Sequence, residues 1–284
     1  MADLILKLET GSVPILSIVF MAISFALAFA IPFTLMAVIK KKTGAKGMAF
    51  AMGVCAFLGF ALIAESIFHA IILRGNLGNT IKGNIWLYAV YGGFMAALFE
   101  EAGRFVFMST TLKKFHNNKG TALMYGAGHG GFEAMYILGL GMINNIIYSV
   151  MINTGLIRTV IDSLKTLNLS TQDMIANLST FAQLIDLPSW MFIVGIIERI
   201  SAMSAHIAMS VFVWEAVTTK KKWYLAIAFG MHLILDAVTV VLNHYTNSII
   251  LEAVVLVMSA AMCVYAYFVY EKHEDPVIAE TATE

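Results

Sequence analysis

Four short runs of ionisable residues stand out in a sequence that is otherwise strongly apolar. Glu100, Glu101 and Arg104 are written EEAGR, His129 and Glu133 fall in HGGFE, Glu198, Arg199 and His206 in ERISAMSAH, and His232 and Asp236 in HLILD. Residues three or four apart share a helix face. Arg104 is therefore one turn from both Glu100 and Glu101 and can neutralise one of them. His129–Glu133 and His232–Asp236 are each one turn apart, and Arg199 and His206 share a face at seven residues. A carboxylate pair, histidines and a buried arginine suit activation of a water molecule. One Glu would be the general base, the other carboxylate would be held ionised by Arg104, and a histidine would position the water or return a proton to a leaving amine. Another histidine would donate to the oxyanion of a tetrahedral intermediate. No Ser or Cys stands in a nucleophile context, and neither the GxSxG elbow nor the HExxH zinc helix is present. Three histidines and several carboxylates could still gather a metal ion such as zinc.

The elements that must position these residues are membrane spans. Of 284 residues, 60% are hydrophobic and 13% charged, against about half and about a quarter in soluble domains. Net charge is zero, so nothing points to nucleic acid as a partner. Seven stretches reach the roughly 20 apolar residues that a spanning helix needs: 13–39, 47–73, 85–110, 121–152, 189–217, 223–242 and 249–270. The expected fold is all-α, a polytopic membrane bundle of seven transmembrane helices. Eleven of the 18 Lys and Arg lie on one set of span ends (among them Lys40–Lys42, Lys113, Lys114 and Lys220–Lys222), and five on the other. The basic set is expected to face the cytoplasm, which places the N-terminus outside and the C-terminus inside. The first 39 residues lack the basic start of a cleaved signal peptide, and their apolar run is too long for one.

One membrane domain is expected over 1–270, with a catalytic core at about 85–245 and an amphipathic outer connection at about 153–188. In that connection Leu156, Val160, Ile161 and Leu164 recur at helical spacing, and Ser170-x-x-Asp173 reads as a capping box ahead of a second helix. The pair would lie on the outer leaflet or act as a gate. The acidic segment 271–284 is expected to be a disordered cytoplasmic tail. Cys55 and Cys263 lie in apolar runs without disulfide or zinc spacing.

Depth sharpens the choice of site residues. Counted from the cytoplasmic span ends at roughly 1.5 Å per residue, Glu100 lies about 18 Å in, His129 about 12, Glu133 about 18, His206 about 16, His232 about 14 and Asp236 about 20. Each pair alone has a blander reading, as a structural ion pair or a satisfied core histidine. Together in one slab they point to an active site, because ionisable groups in lipid are costly and mark function. Glu198 and Arg199 come out about 27–28 Å in by the same count and read as a supporting ion pair. Glu65–His69, Glu215 and Glu252 read as interfacial groups near span ends. Gly126, Gly128 and Gly131 satisfy GxGxxG, but inside an apolar span and not in a strand–turn–helix. They are expected to let neighbouring helices approach and to bring His129 up to Glu100 and Glu101.

The ordered set EEAGR, HGGFEA, ER…H and HLILD resembles the YhfC-type glutamic intramembrane endopeptidases, relatives of the CAAX-type prenyl-protein proteases and PrsW-type membrane proteases. The resemblance covers about residues 85–245. Arg104 stands one place earlier than in the EExxxR of the CAAX branch, as in PrsW-type sequences. Tyr125…His129 corresponds to FxxxH, and Asp236 takes the Asn position of HxxxN. The resemblance implies an intramembrane endopeptidase of the bacterial cytoplasmic membrane, acting on a membrane-associated protein or peptide. By it, Glu100 is the base, His129 helps hold the water, Glu101 and Arg104 support the base, and His232 with Asp236 lines the oxyanion hole. An ionised Asp236 cannot donate to an oxyanion, so it would orient His232, and His206 competes for the donor role. No cofactor is implied, but the family's description as metalloproteases keeps a metal version open, with His129, His206 and His232 as ligands. Two other classes fit the buried charges: a proton- or cation-coupled transporter, and a non-catalytic scaffold of the same fold.

Overall fold

The computed structural model describes residues 1–167 and 170–275. Among the described residues eleven helices run in order: α1 (Ala2–Thr10), α2 (Ile15–Thr43), α3 (Gly47–Ile72), α4 (Gly75–Lys82), α5 (Ile85–Ser109), α6 (Gly120–Asn153), α7 (Ile157–Thr166), α8 (Thr171–Asp186), α9 (Met191–Thr219), α10 (Trp223–Tyr245) and α11 (Ser248–Lys272). No strand occurs among the described residues. Six of these helices, α2, α3, α6, α9, α10 and α11, are long and apolar enough to cross a membrane. The remaining long helix, α5, has 25 residues but carries Glu100, Glu101 and Arg104, which lower its apolarity. Ile15, Ile71 and Val257 are 75%, 67% and 68% exposed, an apolar exterior suited to lipid rather than water. Of the expected tail, Glu271 and Lys272 end α11. Residues 276–284 lie outside the described ones, as does Asn168 of the outer connection.

Two compact units are present, residues 1–30 with 135–196, and residues 31–134 with 197–284. The first is organised around Leu8, Met21, Ile157, Ile161 and Leu178, all almost completely enclosed. The two amphipathic segments expected at 153–188 form α7 and α8. Ser170 caps α8 by accepting from the Asp173 amide at 3.1 Å, and its hydroxyl donates to the Asp173 carboxylate at 2.7 Å. Helix α1 was not expected. Leu4 and Leu8, one turn apart, turn its apolar side onto this core, and Lys7–Asp186 (2.5 Å) and Arg158–Glu9 (2.7 Å) tie its rim. The Arg158 guanidinium holds the Glu9 carboxyl below its ordinary value of 4.5. The Asn153 amide accepts from the Val13 N–H (2.7 Å) and donates to the Val13 carbonyl (2.9 Å), satisfying the backbone just before α2.

The second unit holds every residue of the expected site. Its helices meet at glycines. A Cβ on Gly128 would stand 2.1 Å from the Phe50 carbonyl oxygen, and one on Gly126 would stand 2.6 Å from the Ile207 Cα. The GxGxxG run is thus a packing surface that seats the first half of α6 against α3 and α9. Gly93 plays the same part between α5 and α10, where a Cβ would meet the Leu233 carbonyl oxygen at 2.5 Å. Within α3, residues Phe57–Glu65 wind as a π-helix, a form found often at functional sites.

Candidate active site

Helix α5 supplies the centre. Glu100 and Glu101 are consecutive and so point about 100° apart, which gives them different partners. Glu100 Oε2 is 2.8 Å from His129 Nε2 on α6, 3.5 Å from Arg104, 3.7 Å from His206 Nδ1 on α9 and 3.8 Å from His232 Nε2 on α10. Glu101 Oε1 accepts from Arg104 and, at 2.8 Å, from His232 Nδ1. Arg104 is fully enclosed, as is His129, and Glu100, Glu101, His206 and His232 are all buried. Four helices therefore converge on one carboxylate oxygen. The Gly-lined contacts of α6 seat His129 there, as the sequence led one to expect.

Hydrogen-bond roles follow from the donors. A guanidinium only donates, so His206 Nδ1, 2.5 Å from Arg104, accepts from it. The other nitrogen of His206 faces the Glu133 carboxylate. Glu133 in turn accepts from Arg199 at 2.8 Å, and Arg199 also pairs with Glu198. Arg199 thus joins the network that the axial count had excluded. That count treats helices as parallel with aligned ends and measures backbone positions, whereas the long Arg199 and Glu133 side chains meet at 2.8 Å across the roughly 9 Å that it puts between them. Asp236 Oδ2 is 3.5 Å from His232 Nε2, and about a third of its side chain is exposed. A cavity of about 80 Å³ opens beside the cluster, lined among others by Glu133, Arg199, His206, His232 and Asp236. It has room for water.

Two further groups complete the surroundings. Tyr125 is fully buried and stacks over His129 at 6.1 Å between ring centres, and Phe57 meets His129 edge-on at 5.4 Å. Glu65 and His69 pair at 3.0 Å as their spacing suggested, and His69 also bonds the Tyr91 hydroxyl at 2.8 Å, a partner not foreseen. Among the described residues the Tyr125 hydroxyl, His129 Nδ1, Arg104 Nε and Arg199 Nε have no hydrogen-bond partner.

Donor atoms of Glu100, His129 and His206 lie within 4.8 Å of one another, all buried. Glu and His donors in that number fit a zinc ion in type. Glu100 takes the place in this group that the sequence reading gave to His232, whose Nδ1 is bound by Glu101. One observation opposes a metal here: His206 Nδ1 already accepts from Arg104, whose cation stands among the same donors.

The apolar helices define an integral membrane protein, and an enclosed Glu–His–Arg centre lies among them. The family model described as YhfC intramembrane metalloprotease matches residues 27–258, and the chain belongs to that family. It is 33% identical over 255 residues to the "Uncharacterized membrane protein YhfC" of Bacillus subtilis (strain 168), covering 88% of this chain and 94% of that protein. No solved structure matches.

Proposed function

We propose that this protein is an intramembrane endopeptidase that hydrolyses a peptide bond of a membrane-associated protein with a water activated by Glu100. The observation that carries the reading is the convergence of three imidazoles and a guanidinium on the Glu100 carboxylate, beside a cavity whose lining includes Glu133, His206, His232 and Asp236. Glu100 takes a proton from water as the oxygen attacks the scissile carbonyl carbon. His129 donates to Glu100 through Nε2 and holds it in line. When the C–N bond breaks, Glu100 returns the proton to the leaving amine, so the two products are an acid and an amine.

His232 is the better oxyanion donor. Both nitrogens of His206 are engaged, by Arg104 and by Glu133. His232 is oriented through Nδ1 by Glu101, and as an imidazolium it offers Nε2–H to the developing oxyanion. Asp236 steadies that cation and donates nothing. Glu101 and Arg104 brace the centre, and Glu133 fixes His206. The reading takes α5 as a seventh span, supported by its length of 25 residues, about 37 Å of helix against roughly 30 Å of hydrocarbon. With α5 counted, the basic span ends face the cytoplasm and the N-terminus lies outside.

A second version is favoured by the buried donor group and the family description. A metal ion would be held by Glu100, His129 and His206 and would supply Lewis-acid polarisation. Arg104 would then give up its bond to His206.

The test is cleavage of a membrane-peptide library by purified protein, with and without a zinc chelator, alongside Glu100→Gln. Wild type should cleave in chelator, and Glu100→Gln should lose about 10²-fold or more of the rate while staying folded. Full activity in Glu100→Gln would end the reading. Activity lost to chelator and restored by zinc would replace it with the metal version.

A further inference from the structure

The mechanism leaves one wall of the cavity unused, and Arg199 stands in it. Its two terminal nitrogens are taken by Glu133 and Glu198, which fix the plane of the guanidinium. Its Nε is buried and has no partner among the described residues. A guanidinium donor held in direction but left unsatisfied is a binding group waiting for an acceptor. His232 and Asp236 line the same cavity, so that acceptor would sit beside the reacting bond.

The chemistry of the substrate names the acceptor. A peptide bond inside a membrane helix is closed off, because its carbonyls are bonded along the helix. To be cut, the segment must unwind, and in hydrocarbon each freed carbonyl then needs a donor. We propose that Arg199 is a substrate-positioning residue whose Nε–H donates to a main-chain carbonyl of the unwound segment next to the scissile bond. The ligand class is an extended peptide strand read through its backbone, not through a particular side chain. This assignment rests on the endopeptidase reading, and its test includes an arm that needs no turnover.

In the first arm, a fluorescent membrane peptide is bound to Glu100→Gln protein in nanodiscs, with and without Arg199→Lys. Lysine keeps a cation beside Glu133 and Glu198 but removes the Nε–H. The peptide Kd should rise about tenfold or more. In the second arm, Arg199→Lys in the otherwise wild-type enzyme should raise KM by a similar factor with kcat within about twofold. In the third, a thioamide is walked through the positions flanking the scissile bond on wild-type enzyme, where no folding question arises. Its weaker acceptor should raise KM at one position. An unchanged Kd in the first arm overturns the assignment whether or not the protein cleaves anything, and leaves the protease reading intact. A fall in kcat at constant KM would also overturn it, since that is the signature of support through Glu133. A flat thioamide scan would do the same, leaving water as the cavity's occupant.

Discussion

Replacing Arg104 by Met tests whether the buried charges act as one unit. The Arg104 side chain is fully enclosed and touches Glu101, His206 Nδ1 at 2.5 Å and Glu100 at 3.5 Å. Methionine fills much of the same stem volume, so the lost packing is small. The loss is electrostatic. Glu101, at 2% exposure, would keep only His232, and the His206 acceptor would lose its donor. Stranding a buried charge by removing its partner costs about 3–5 kcal/mol, and the orphaned imidazole nitrogen adds about 1 kcal/mol. The sum is a large part of the roughly 5–15 kcal/mol that holds an ordinary fold together. Adding Glu101→Gln removes the stranded charge while leaving an amide for His232, so the double variant should recover about 2–3 kcal/mol relative to additivity. Unfolding in mixed micelles with stepwise SDS, followed by circular dichroism, reads all four corners of the cycle. A single-variant loss within about 1 kcal/mol of wild type, or a double variant equal to the sum of the singles, would refute the idea of one coupled buried unit.

Gly128→Ala should destabilise by about 1–3 kcal/mol and weaken catalysis, because its Cβ meets the Phe50 carbonyl oxygen at 2.1 Å and the helix carrying His129 must back away. Gly141→Ala, with nothing within 4 Å, is the control and should be neutral or slightly stabilising in the same SDS titration. At the rim of α1, Arg158 keeps the folded-state acidity of Glu9 below the ordinary 4.5. The unfolded or undocked state therefore binds the proton first, so the docked state is favoured above pH 4.5 and loses that preference as pH falls through the lower folded value. Hydrogen exchange of residues 2–10, corrected for intrinsic rate, should show protection falling below about pH 4.5 in wild type. In Arg158→Gln the profile should be flatter, and identical profiles in the two proteins would remove Glu9 from the docking of α1.

Much of the scaffold was readable because long apolar helices announce themselves by length, whether or not each one crosses the membrane. The stretches 47–73, 85–110 and 249–270 became Gly47–Ile72, Ile85–Ser109 and Ser248–Lys272, each within two residues. Ser170 was readable because a cap is a local side-chain reaction with its own backbone. Helix α1 was not, since nine residues are too short to be stable alone whatever their apolar content. Its stability comes from Leu8 entering a core built by distant segments. At the site, Glu100 and Glu101 with Arg104, and His232 with Asp236, were legible as pairs one turn apart. His129 and Glu133, equally spaced, take their partners from other helices, and those bonds were not legible. Nothing in the spacing of Glu101 announces His232, 131 residues away, and only the structure attaches Glu133 to Arg199. Tyr125 carried a signal, its place one turn before His129, but not the fact of its complete enclosure.

The π-helical stretch of α3 has a consequence for how such chains can change over descent. A π turn bonds to the fifth residue back, not the fourth, and so holds an additional residue without altering the phase of the helix on either side. Phe57, at the start of this stretch, keeps its edge against His129 because the α-helical part before it sets its phase. A one-residue deletion between 58 and 64 could be absorbed by rewinding to an α-helix. The same deletion in Gly47–Ala56 would rotate the residues on one side of it by about 100° and break the match of Gly53 and Phe50 with α6. Single-residue length differences among related chains should therefore gather in this stretch and be scarce just before it.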